Sequence, residues 1–127
     1  MLRLPTFTYH RPTSVADAVR IAADHGPESM FVAGGTDLYP NMKRRHQTPR
    51  EVISLSRIAA LHETSGDPAT GLTLGAMVSL TEIERSESML GTTLRPVADA
   101  AALISTPLLR NMGTIGGNLL LDTRCNY

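Results

Sequence analysis

The first 55 residues alternate between short apolar runs and capped, amphipathic segments, and no other feature of the chain restricts its fold so strongly. An extended stretch at residues 7–10 is followed by Pro12-Thr13-Ser14 with Asp17, a hydroxyl cap and a carboxylate three residues on, which predicts a helix start. Val15, Ala18, Val19 and Ala22 then share one face at helical spacing, and Gly26 supplies a stop. Residues 29–33, SMFVA, suit a buried strand. Thr36 or Asp37 can cap a second helix that holds Pro40 in its first turn, where a missing N–H is harmless, and that carries Leu38 and Met42. EVISL at residues 51–55 reads as a third strand. Strand, helix, strand, helix, strand predicts a small parallel sheet.

Beyond residue 56 the character changes. HETSGDPATG at residues 62–71 is turn chemistry between Ile58-Ala59-Ala60-Leu61 and LTLGA at residues 72–76, which predicts a hairpin. Ser79 with Glu82 forms a second capping box, predicting a helix through about Met89. Residues 93–104, with Pro96 in the first turn and an alanine-rich body, predict another, and RNMGTIGGNLLLDTRCNY closes the sequence.

With 127 residues and 42% hydrophobic content the chain can bury a core. Twelve basic and twelve acidic side chains cancel, and no basic stripe is interleaved with aromatics, so neither nucleic acid nor an anionic membrane is favoured as a partner. The opening MLRLPTFTYHRP lacks a signal-peptide core and no window is long enough to span a bilayer, so a cytoplasmic location is expected. One cysteine, Cys125, excludes an intrachain disulfide framework. Lys43-Arg44-Arg45 reads as a solvated helix end favourable to the helix dipole. The histidines at 10, 25, 46 and 62 show no metal-ligand spacing and read as surface or capping side chains. The methionines at 30, 42, 77, 89 and 112 read as core filler. No nucleophile–base pair suggests hydrolysis.

Two glycine segments stand out. Gly34-Gly35 follows the second strand and leads into Thr36-Asp37, and Gly113-Thr114-Ile115-Gly116-Gly117-Asn118 repeats the theme about eighty residues later. Glycine tolerates positive φ and lets a ligand touch the main chain, so each segment suits a phosphate, and the two together suit a pyrophosphate. Each also reads as an ordinary turn. Neither is a P-loop, because no Gly-Lys-Ser/Thr follows, and neither has Rossmann spacing. Asp37 is open to a helix-cap role or to a ribose hydroxyl, with the cap favoured, and Asp122 has no assigned role.

AGGTDL at residues 33–38, LTLGAMVSLTEIE at 72–84 and TIGGNLLLD at 114–122 occur in the order seen in the flavin subunits of the molybdenum hydroxylase (xanthine dehydrogenase) family, and the chain resembles them over nearly its whole length. The resemblance implies an α+β fold of the vanillyl-alcohol-oxidase FAD-binding type, with residues 1–55 as an N-terminal FAD-binding subdomain, a small parallel βαβαβ unit, and 56–127 as the first part of a second α+β subdomain. It implies FAD held by Phe31, Val32, Ala33, Gly34, Gly35, Thr36, Asp37 and Leu38 on one side and by Thr114, Ile115, Gly116, Gly117 and Asn118 on the other, with Thr106 and Asp122 as neighbours. LDTRCNY further resembles the β subunit of 4-hydroxybenzoyl-CoA reductase, which implies that Cys125 is the first ligand of a 4Fe–4S cluster in a full-length form; the alternative is an unpaired thiol without a ligand role. A lone thiolate cannot hold such a cluster.

The expected function is therefore that of the FAD-binding subunit, or a fragment of it, in a molybdenum-containing oxidoreductase, moving electrons between FAD and iron–sulfur centres in aromatic acyl-CoA reduction. The expected partners are a molybdenum-cofactor subunit and a 2Fe–2S subunit. No side chain of this chain is expected to act as acid, base or nucleophile. Family members run to more than twice this length, so a truncated product, inactive alone, is expected. A non-catalytic assembly module without functional flavin is the alternative, and a flavin-free nucleotide enzyme is disfavoured because no Mg²⁺-binding Ser/Thr or Lys follows the glycines.

Overall fold

The structure is a computed structural model and describes residues 3–122. The first half forms the alternation expected: β1 (Thr8–His10), α1 (Val15–His25), β2 (Ser29–Val32), α2 (Leu38–Lys43) and β3 (Glu51–Ser54). The three strands are parallel in the order β1-β3-β2, with Tyr9 opposite Val52 and Met30 opposite Val52. Successive side chains of β3 point to opposite faces, and both faces are covered. Val52 packs with Val32, Leu38 and Met42 under α2, while Ile53 packs with Ala18 and Ile58 under α1.

Local chemistry fixes the helix ends. The Ser14 side chain accepts from the Asp17 N–H, and at the far end of α1 the Gly26 N–H donates to the Ala22 carbonyl with Gly26 at φ 53°. Only part of the face read from the sequence is used: Val15 and Val19 are exposed, whereas Ala18 is buried and Ile21 and Ala22 pack beside it. The stripe is rotated because α1 lies over Ile53 and Ile58, and small residues allow the closest approach there. At the end of α2 the His46 N–H donates to the Asn41 carbonyl (3.0 Å) and the Arg45 N–H to the Met42 carbonyl (3.1 Å). This is the Schellman pattern, with Arg45 rather than glycine at the left-handed position, φ 62°.

The second half differs more from the reading. The hairpin exists as β4 (Thr64–Asp67) against β5 (Gly71–Leu74), antiparallel, but β4 lies inside the segment read as a turn. All four β4 residues are exposed, so no apolar alternation marks them. The apolar residues before them form a 3-10 turn, Ala59–His62, instead. The helix predicted through Met89 breaks into α3 (Leu80–Glu84) and α4 (Glu87–Leu90), because Ser86 takes an extended conformation between them. There follow α5 (Arg95–Leu103), α6 (Pro107–Arg110) and α7 (Ile115–Leu119). Val78, Leu80, Ile83, Met89, Ala98 and Ala101 make a third core cluster, mainly between α3 and α5. Met42, Met77 and Met89 are buried as expected of core filler, but Met112 is exposed.

Candidate functional site

The two glycine segments, far apart in sequence, lie against each other. A Cβ built on Gly34 would stand 1.6 Å from the Met112 carbonyl oxygen, and one on Gly117 would stand 3.7 Å from the Ala33 Cβ. A Cβ on Gly113 would lie 3.8 Å from the Thr36 Oγ1. Main chain therefore meets main chain where Gly34 faces Met112 and Gly113, and the side chains of Ala33 and Thr36 flank Gly117 and Gly113.

Several interactions hold the second segment in place. The Leu80 N–H donates to the Gly113 carbonyl (2.9 Å), the Ile115 N–H to Val78 (2.9 Å) and the Gly116 N–H to Ala76 (2.9 Å). Ser79 and Thr114 form an antiparallel bridge beside the capping box that opens α3. Thr114 caps α7: its side-chain oxygen accepts from the Gly117 N–H (3.2 Å) and its carbonyl from the Asn118 N–H (2.9 Å). TIGGN, read as a loop, is thus the first turn of a short helix, and its amides from Ile115 to Asn118 are engaged within the chain. Gly116 is also fixed sterically, since a Cβ there would meet Ala76 at 2.7 Å.

The first segment is different. No hydrogen bond joins the amide N–H groups of Gly34, Gly35 or Thr36 to another of the described residues. Gly35 has φ 75°, and its carbonyl accepts from the Tyr39 N–H (3.3 Å). Asp37 stands at the N-cap of α2 without a side-chain capping hydrogen bond. Val32 and Leu38 point into the core, so only their main chain faces the loop, while Phe31 is exposed. An open apolar hollow of about 320 Å³, lined by Leu4, Phe7, Tyr9 and Tyr39, adjoins the loop through the Tyr39 ring that covers Gly35. Burial, then Tyr9, raises the Tyr39 hydroxyl above its ordinary pKa.

Thr106 caps α6 by position and is exposed, as is Asp122 just beyond α7. Cys125 lies outside the described residues. Reading the sequence alone missed Arg110. Its side chain is one-tenth exposed, its Nε donates to Glu84 at 2.8 Å, and its Nη1 donates to the carbonyls of Ile104 (3.1 Å) and Ser105 (3.3 Å). It anchors the turn that delivers Met112 and Gly113, and nothing in its sequence neighbourhood marks it.

A family model described as the FAD binding domain in molybdopterin dehydrogenase matches residues 5–125. The chain belongs to this family. It is 36% identical over 115 residues to the carbon monoxide dehydrogenase medium chain of Hydrogenophaga pseudoflava, covering 91% of this chain and 39% of that one. It is 35% identical over 130 residues to the aldehyde oxidoreductase FAD-binding subunit of Escherichia coli K12, covering 98% and 38%. Among solved structures, carbon monoxide dehydrogenase from H. pseudoflava superposes with a TM-score of 0.85 at 35% identity, over 92% of this chain and 40% of that one. Quinoline 2-oxidoreductase from Pseudomonas putida 86 gives 0.84 at 28% identity. The fold is the α+β flavin-binding architecture expected. The chain spans about two fifths of the length of the relatives it matches.

Proposed function

We propose that this chain is the FAD-binding part of a molybdenum-containing oxidoreductase, and that it holds the FAD diphosphate between residues 31–38 and 114–118. The observation that carries this reading is the asymmetry of the two segments. Open amides at Gly34, Gly35 and Thr36 stand beside a second segment whose amides from Ile115 to Asn118 are engaged within the chain, so the first segment donates to a diphosphate and the second shapes the slot. The residues fit such a group. Gly34, Gly35 and Thr36 offer three consecutive main-chain N–H donors without a partner among the described residues, and Thr36 adds a hydroxyl, so no lysine is needed for a ligand held by main chain.

Thr36 donates its hydroxyl, and Asp37 bonds a ribose hydroxyl or orients the start of α2. Thr106 and Asp122 border the same ligand. Bound FAD would supply the electron chemistry, passing electrons to or from iron–sulfur centres of a 2Fe–2S partner that communicates with a molybdenum-cofactor subunit. The protein's own part is binding, orientation and exclusion of water. The tail LDTRCNY favours an aromatic acyl-CoA reductase among the family's chemistries, with Cys125 as one ligand of a 4Fe–4S cluster in a longer form.

Titration of the chain with FAD, following flavin fluorescence and melting temperature together, tests the reading, since a ligand specific to the folded state raises its stability. Saturable binding with a higher melting temperature supports it. A folded chain that binds no FAD favours the assembly module instead, to which the exposed Leu103, Leu108, Leu119 and Leu120 would then belong.

A further inference from the structure

We propose that His10, His25 and Glu51 form a binding site for a divalent transition-metal ion of the Zn²⁺ type, separate from the glycine segments. The fold brings together three residues that are scattered in the sequence: the last residue of β1, the last of α1 and the first of β3. Thr8 is the register partner of Glu51, and His10 lies two residues along the same strand. The strand period of two therefore puts His10 and Glu51 on one face of the sheet. That face also carries Ile53, which packs with Ala18 of α1, so the end of α1 delivers His25 to the same place.

One ligand atom from each residue lies within 4.8 Å of the other two. His10 Nε2 and Glu51 Oε2 are 2.6 Å apart, and the two imidazole rings are tilted with centroids 5.6 Å apart. A tetrahedral zinc ion with bonds near 2.0–2.2 Å needs its ligand atoms roughly 3.4 Å apart, a spacing that small side-chain rotations reach from this arrangement. Two imidazoles and a carboxylate are a zinc donor set, and the fourth position is left to water.

The pair His10–Glu51 is satisfied by its own hydrogen bond. His25 is not explained by it. Among the described residues the His25 ring makes no hydrogen bond; it lies beside the His10 ring and, after the larger effect of the His10 hydrogen bond, its charge helps to hold the Glu51 carboxyl below its ordinary pKa. Two imidazoles side by side repel when both are protonated, and a shared metal ion turns that juxtaposition into an attraction. The ion would take the place of the proton between His10 and Glu51 and tie β1, α1 and β3 together. His25 is exposed, so the ion has a path in from solvent.

The test is calorimetric titration of the full chain with Zn²⁺, in a Cys125→Ser background so that no thiolate contributes, with thermal stability measured in parallel and Co²⁺ absorption as a report on coordination. One ion per chain and a raised melting temperature are expected. His10→Ala, His25→Ala and Glu51→Gln should each weaken binding by more than about tenfold, while His46→Ala and His62→Ala leave it unchanged. His25 is at an exposed helix end, so its variant folds and decides the matter even if His10→Ala does not. Absence of saturable binding, or binding that His25→Ala leaves intact, overturns the proposal. FAD affinity does not enter the readout, so failure here is distinct from failure of the flavin reading.

Discussion

Replacing Gly34 by alanine puts the contact between the two glycine segments to the proof. The added Cβ would have to move from 1.6 Å to at least 3.0 Å from the Met112 oxygen, and the Met112 carbonyl carbon stands at 2.5 Å behind it. Both obstacles are main chain, so no rotamer relieves them and the segments must separate by roughly 1.4 Å. Overpacking of this kind costs about 1–3 kcal/mol. The same displacement strains the Leu80 N–H bond to Gly113 and the Gly113 N–H bond to Leu109 (2.7 Å), at about 1 kcal/mol each. A total of about 3–5 kcal/mol is a large part of a domain's stability of about 5–15 kcal/mol, and lowers the melting temperature by about 10–20 °C. Chemical denaturation and thermal melting measure it, and FAD titration of the folded fraction should show weakened affinity as well. Gly91→Ala is the control, because nothing lies within 4 Å of a Cβ there. Gly35→Ala should fall between, since it meets the Tyr39 ring, which can move, and carries the left-handed strain of φ 75°. If Gly34→Ala melts within about 0.5 kcal/mol of the parent and binds FAD equally well, the two segments do not touch as described.

Other perturbations separate the supports of the site. Arg110→Ala strands the Glu84 carboxylate and two carbonyls, and should cost about 2–4 kcal/mol in denaturant unfolding, with Arg110→Lys a poor substitute for the fork. Ser79→Ala removes the cap of α3 and should cost about 1 kcal/mol by the same measurement. The Ser79 hydroxyl (2.6 Å) and N–H (2.7 Å) donate to Glu82 and hold its carboxyl below the ordinary 4.5. That contribution is complete above the ordinary value and is lost as pH falls through the lowered one, so the melting temperature of Glu82→Gln should decline less on acidification than that of the parent. Arg45→Gly should stabilise by up to about 1 kcal/mol by relieving φ 62° at the end of α2, provided the Schellman bonds persist.

The sequence made the parallel sheet legible because β2 and β3 carry apolar runs, Met30-Phe31-Val32 and Val52-Ile53, and the helices between strands start at Ser14 and Asp37, residue types favoured at an N-cap. The hairpin was legible only as a turn signal. β4 is polar throughout and exposed, so its pairing with β5 rests on main-chain hydrogen bonds that side-chain patterns do not record. The candidate site divides the same way. AGGTD and TIGGN mark themselves by their glycines, but the exchange of roles between them does not: in one the amides stay open, in the other Thr114, Ala76 and Val78 consume them. Arg110 and the group His10, His25 and Glu51 were illegible because their members come together only through the packing of α6 against α3 and of α1 against the sheet.

Gly34 and Met112 touch across about eighty residues of intervening chain, and this separation sets the order of events in folding. Local elements such as α1 and the β4–β5 hairpin close early because their loops are short, whereas the slot between residues 33–36 and 112–117 can close only after both halves have condensed. During synthesis the first segment emerges, with its amides in water, long before its wall exists. Capture of flavin after a refolding jump should therefore trail the recovery of helical signal, making the ligand a clock for the last step of folding rather than the first.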